Sequence, residues 1–260
     1  MFNGLRIGTS GMKTAQKVMD NVADQIANLD TNGYKKKEVV FHDLLRNEIG
    51  ENEVRLSQNA GNAAISAGSR ASSVQTDFRQ GSLVPSEGIY HLAIEGNGYF
   101  GTVKPSGDLV LTRNGAFHLN ADQSITDDEG NLLSMDTYVP TTAWDHSSLA
   151  INAEGLISGK TLDGTAQALG RVILYAPGTS DALISQGEGK YLAPEGAALA
   201  NSVDDGTAAF GQVRQRALEK SNADMIRSMT DMIVTQRAYQ VNAKSVTTAD
   251  EMLEVINTIV

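Results

Sequence analysis

The chain has 260 residues, a formal net charge of −10, 41% hydrophobic and 20% charged residues, and no cysteine. That is enough apolar material to bury a core, and it excludes disulfides, zinc–thiolate centres and thiol nucleophiles. No apolar run approaches the roughly 18 residues of a membrane-spanning helix. The opening MFNGLRIGTSGMKTAQ lacks the apolar stretch of a secretory signal, so no cleaved leader is expected.

The first predicted element is a helix. Met12, Ala15, Met19, Val22, Ile26 and Leu29 recur at alternating steps of three and four, a heptad stripe. A single stripe of this kind also suits a surface helix packed on its own domain. Ser10 reads as its N-cap, and the helix is expected to end near Leu29 or Asp30. Gly33 then supplies a backbone position suited to positive φ. Val39-Val40-Phe41 has β character. Residues 46–74 are polar, small and weakly patterned, and read as a linker or extended arm.

From about residue 75 the pattern changes. Short apolar runs such as Leu92-Ala93-Ile94, Leu109-Val110-Leu111 and Val172-Ile173-Leu174 alternate with turn signals such as Gly96-Asn97-Gly98 and Asn114-Gly115. Short strands and tight turns predict an all-β domain over 75–215. This stretch holds 7 Lys/Arg and 17 Asp/Glu, whereas the two flanks together hold 14 of each. An acidic body, with Asp204 and Asp205 as exposed positions, argues against a nucleic-acid partner.

The last element mirrors the first at greater length. Met225, Met229, Met232, Gln236, Tyr239, Ala243, Val246, Asp250 and Leu253 again alternate steps of four and three, and Ile226 and Ile233 widen the stripe. No Pro or Gly follows residue 211, so one helix of about 50 Å is expected. Its methionines offer an adaptable contact surface. The fold class is therefore α+β: terminal heptad helices (1–45 and 216–260) form a coiled-coil-like stem around a central β domain. Such stripes find no partner on a small β domain. Both ends are expected to be mobile in a monomer unless the two helices pair.

Catalytic and cofactor signatures are missing. Residues 155–161, GLISGKT, have one residue too few between the glycines for a phosphate-binding loop. The four histidines are scattered without metal-ligand spacing. Asp127-Asp128-Glu129-Gly130 lacks the alternating order of a calcium loop, and no nucleophile elbow occurs. No cofactor, metal or small-molecule substrate is expected.

Three motifs carry a family resemblance. Ile26-Ala27-Asn28-x-x-Thr31-x-Gly33-Tyr34-Lys35 resembles the N-terminal signature of the bacterial flagellar rod and hook protein family, which usually has paired asparagines where this chain has Asp24-Gln25. Ser221-Asn222, then Met232-Ile233-x-x-Gln236-Arg237-x-Tyr239-x-x-Asn242-x-Lys244 and Thr248-x-Asp250-x-Met252-Leu253, resemble its C-terminal helix. Ala93-Ile94-x-Gly96-x-Gly98-Tyr99-Phe100 and Thr112-Arg113-Asn114-Gly115-x-Phe117 are similar to the start of its β domain. The length suits the family's distal-rod branch or its close relative, and the C-terminal QRAYQVNAKSVTTADEML favours the distal-rod branch.

The resemblance implies a structural subunit exported by the flagellar apparatus without a cleaved signal. It would polymerise helically with copies of itself and join other rod and hook proteins in the basal body, transmitting torque from motor to hook. The N-terminal motif residues would serve assembly. So would the helix residues Met12, Met19, Val22, Met225, Met229, Met232, Gln236, Arg237, Tyr239, Asn242 and Leu253. On this reading Gly33 permits the turn between layers, and Gly33→Val is expected to impair polymerisation while hardly moving the thermal transition. The alternative is a soluble carbohydrate-binding or enzymatic β module with helical oligomerisation ends.

Overall fold

The computed structural model describes residues 2–43, 47–48, 64–65, 68–179, 183–194, 196, 198–203 and 210–259. Most of the 46–74 linker, and Asp204 and Asp205, lie outside the described residues. The chain divides into two compact units. One contains Met1–Ala27, Lys37–Thr76 and Asp224–Val260; the other contains Asn28–Lys36 and Asp77–Ala223.

The first unit is built on two helices, α1 (Phe2–Ala27) and α2 (Met225–Ile259). At 1.5 Å per residue they are about 39 and 52 Å long. They run antiparallel. Gly8 faces Val246, Gly11 faces Asn242, and the Ser228 hydroxyl lies 3.5 Å from Gln25 Oε1. The two glycines allow the close approach. A Cβ on Gly8 would stand 2.7 Å from Val246 Cγ2, and one on Gly11 would stand 2.8 Å from the Asn242 amide nitrogen. Thr14, Ala15, Val22, Gln25 and Ser228 are buried. The terminal helices therefore partner each other, the case in which order in the monomer is expected.

Two local expectations change. Ser10 lies inside α1, and its hydroxyl donates to the Ser69 carbonyl instead of capping the helix. The helix also ends at Ala27, before Leu29. The first residues helicalise because α1 packs along α2, which a cap rule cannot register. At the start of α2, Asp224 caps: its Oδ1 accepts the Arg227 N–H at 3.0 Å. Beside the helices, strands Lys37–Asp43 and Ser69–Thr76 form an antiparallel ribbon with a bulge at Val40/Phe41. Asn21 and Gln25 on α1 both donate to the Lys37 carbonyl at 2.6 Å.

The second unit is antiparallel β throughout its described pairings. A nine-stranded sheet has strands Leu109–Thr112 and Tyr99–Val103 near its centre, and a four-stranded sheet is centred on Leu156–Lys160 and Ala166–Val172. Leu92, Ile94, Phe100, Phe117, Trp144, Ile157, Leu169, Val172 and Val213 form its core. Two late strands return to early ones: Gln212–Gln215 pairs with Leu92–Glu95, and Ala217–Glu219 pairs with Leu83–Pro85.

Candidate assembly site

Ile26 and Ala27 end α1, and from Asn28 onward the N-terminal motif folds within the β unit. Its turn is closed by Thr31 N–H to the Asn28 carbonyl (3.3 Å) and Tyr34 N–H to the Thr31 carbonyl (3.4 Å), while the Thr31 hydroxyl donates to Asn28 Oδ1. Gly33 has φ 70°. Its N–H donates to the Glu219 carbonyl at 2.7 Å, and a Cβ there would stand 2.5 Å from the backbone of Arg113 and Asn114. Positive φ and a facing backbone both require glycine. The expectation that Gly33→Val hardly moves the thermal transition is therefore corrected, because Gly33 lies inside the folded β unit.

The next two residues are also internal. Tyr34 is buried, and Lys35 is only 2% exposed. Lys35 Nζ donates to Glu219 Oε1 at 2.6 Å and to the Arg79 carbonyl at 2.8 Å. Arg113 Nη1 reaches the other Glu219 oxygen at 3.2 Å, and the Gly81 N–H donates to Oε1 at 2.9 Å. Arg113 also donates to the Gly96 carbonyl and lies over the Tyr99 ring, 5.1 Å from its centroid. Two buried cations thus share one buried carboxylate. Burial pushes the Lys35 pKa down against the pull of Glu219.

Asn222, from the C-terminal motif, completes this corner. Its amide donates to the carbonyls of Asp77 and Arg79, its Oδ1 accepts the Lys36 N–H at 2.7 Å, and its own N–H reaches the Tyr34 carbonyl. Asp77 N–H donates to the Lys36 carbonyl at 2.9 Å. The Arg79 guanidinium holds the Asp77 pKa down at about 2. The N- and C-terminal motifs therefore meet, and Gly33, Tyr34, Lys35 and Asn222 tie distant segments of one unit together. Among the other motif residues, Ile26, Asn28 and Thr31 are half-buried and Ala27 is exposed.

The helix residues divide by face. Val22 is buried; Met12, Met19, Met232, Asn242 and Leu253 are half-buried. Met225, Met229, Gln236, Arg237 and Tyr239 are exposed. The sheltered face of α2 runs through Ser228, Met232, Thr235, Asn242, Val246, Ala249 and Leu253, also at heptad spacing but rotated from the most apolar stripe. What remains outside mixes charged and polar residues, such as Arg227, Arg237 and Lys244, with a row of apolar ones: Ile226 is 79% exposed, Val241 66% and Val234 60%, with Ile233, Met252, Val255 and Ile256 also exposed. Such a row is the candidate interaction surface of this unit.

Sequence reasoning missed Glu219 and the packing role of Gly8 and Gly11. A lone glutamate gives no sign of burial, and glycine in a helix reads as a weakness, not a contact. Arg113 was visible only through the family motif that contains it.

An internal polar tie in the β unit and exposed apolar residues along α2 are what the geometry provides. Comparison with known proteins gives the class. Residues 5–35 match the family described as "Flagella basal body rod protein", 93–159 match "Flagellar hook protein FlgE/F/G D1 domain", and 214–259 match "Flagellar basal body rod FlgEFG protein C-terminal". The chain is 32% identical to the flagellar basal-body rod protein FlgG of Caulobacter vibrioides, covering 97% of each chain. It is 31% identical to the FlgG proteins of Agrobacterium fabrum (98% of each chain) and Bacillus subtilis (98% of this chain, 97% of the relative). The chain belongs to the flagellar basal-body rod protein family. The family is structural and resides in the basal body, and the reading as a carbohydrate-binding or enzymatic module is not favoured.

Proposed function

We propose that this chain is a self-assembling rod subunit whose helix-pair unit makes the contacts between copies, with torque passing through the resulting helical polymer to the hook. The observation that carries this reading is the exposed apolar row on α2, from Ile226 to Ile256. Within one chain that row stays in water; against neighbouring copies it becomes buried, at roughly 25 cal/mol per Å² of apolar surface. Met225 and Met229 extend it. The buried motif residues Gly33, Tyr34 and Lys35 would act on assembly indirectly, through the unit they hold together. Export through the flagellar apparatus is part of the same reading. So is contact with other rod and hook proteins.

Val241→Asp and Ile233→Asp test it. In the monomer both side chains face solvent, so helicity and thermal transition should stay near wild type. In a polymer each would bury an unpaired carboxylate, costing several kcal/mol per subunit. Loss of swimming and of the subunit from isolated basal bodies is expected. Normal motility with both variants would show that the row is not an interface.

A further inference from the structure

The helical unit also carries a groove of about 340 Å³ between α1 and the strand Ser69–Thr76. Among the described residues its charged lining is basic: Arg6, Lys13 and Lys17 along one face of α1, and Arg70 opposite, with the Thr9 hydroxyl among them. All four cations are exposed, and none has an ion-pair partner among the described residues. A chain of net charge −10 has here gathered four positive groups around one concavity. Four like charges repel unless an anion lies among them.

The same unit carries the complementary charge elsewhere. Asp250, Glu251 and Glu254 are exposed near the end of α2. Residues 245–260 contain no Lys or Arg, and the last turn has no basic residue. Asp250, Glu251 and Glu254 have no ion-pair partner among the described residues, and neither does Arg6 in the second turn of α1.

We propose that the basic groove receives the Asp250–Glu254 end of a second copy. The two surfaces are different, so the contact is heterologous and can repeat along an open polymer. Asp250 and Glu254 lie four residues apart on one helix face, as do Lys13 and Lys17, so two pairs can form together. The proposal rests on the self-assembly reading and names the polar contact that sets its register, where the apolar row supplies non-directional burial.

The test is a charge exchange in full-length protein, produced in a strain lacking its own copy. Lys13→Glu with Lys17→Glu, or Asp250→Lys with Glu254→Lys, should each lower the amount of subunit in isolated basal bodies about tenfold. All four substitutions in one chain should restore incorporation and swimming, because every groove then meets an end of opposite charge. Circular dichroism of each purified variant establishes folding. Lys104→Glu with Lys160→Glu in the β unit supplies the same charge change as the lysine pair elsewhere and should have no effect. Either pair assembling like wild type would overturn the proposal. So would folded pairs that the fourfold exchange does not rescue, an outcome that gives the groove a different occupant. If the wild-type chain itself fails to enter basal bodies, the self-assembly reading falls instead.

Discussion

The two units treat polarity in opposite ways. The β unit buries charge: Lys35, Arg113 and Glu219 are all shut away from water and joined to each other. The helical unit does the reverse, burying the neutral polar side chains Thr14, Gln25 and Ser228 while leaving Ile226, Val234 and Val241 outside. A unit that is complete by itself can place ions in its interior, because every partner is supplied by the same chain. A unit that leaves isoleucine and valine in solvent along a helix of about 52 Å is incomplete until something covers it. Substitutions in the β unit should therefore alter stability, and substitutions on the helix face should alter assembly.

The strongest test of that division is Glu219→Leu. It leaves Lys35 and Arg113 buried with no carboxylate, a loss of about 3–5 kcal/mol, and calorimetry should show the thermal transition falling by roughly 10 °C. Lys35→Met should cost much less, because Arg113 and Glu219 remain as a one-to-one pair. Equal losses for the two variants would mean that the cluster does not share its charge as described.

Gly33→Val comes next. Positive φ costs roughly 1–2 kcal/mol for a residue with a Cβ, and the approach to the Arg113–Asn114 backbone adds overpacking of about 1–3 kcal/mol. A transition lowered by several degrees is expected, and an unmoved one would place Gly33 outside the β unit. Met229→Asp sharpens the comparison from the other side. Met229 is exposed, so monomer stability should change by less than about 0.5 kcal/mol while motility is lost.

The smallest effect concerns acid. Asp77 is held at about 2, below its ordinary 3.8, chiefly by Arg79. A depressed carboxylate stabilises the fold at pH above its unfolded value, and that contribution disappears as pH falls through the folded one. Asp77→Asn should flatten the stability of the β unit between about pH 4 and pH 2, read by denaturant midpoints at each pH. An unchanged profile would show that the Arg79 pairing contributes nothing to folding.

Much of this division is legible in the residues themselves. Heptad spacing announces both helices, and turn signals at Gly96-Asn97-Gly98 and Asn114-Gly115 announce short strands. The face that α2 turns toward α1 is not legible from hydrophobicity, because Gly8 and Gly11 admit Val246 and the polar Asn242, and Ser228 meets Gln25, while the larger Met225 and Met229 stay exposed. The motif Thr31–Lys35 is easily found, but its setting is not. Whether a lysine is an exposed contact or a buried tie depends on Glu219, which lies 184 residues from Lys35, and no local pattern encodes that meeting.

That separation also sets an order of events. A chain made from its N-terminus presents Gly33, Lys35 and Arg113 long before Glu219 exists, and the strand Leu83–Pro85 waits equally long for Ala217–Glu219. Until then Lys35 and Arg113 lack the carboxylate that makes their burial tolerable, and the Gly33 N–H lacks its acceptor. The β unit therefore cannot complete itself on a partial chain. Its closure is a late event that involves contacts of very long sequence separation, the kind that slow folding most. A shortened product ending before residue 217 would remain open, because the strand Leu83–Pro85 would lack its partner.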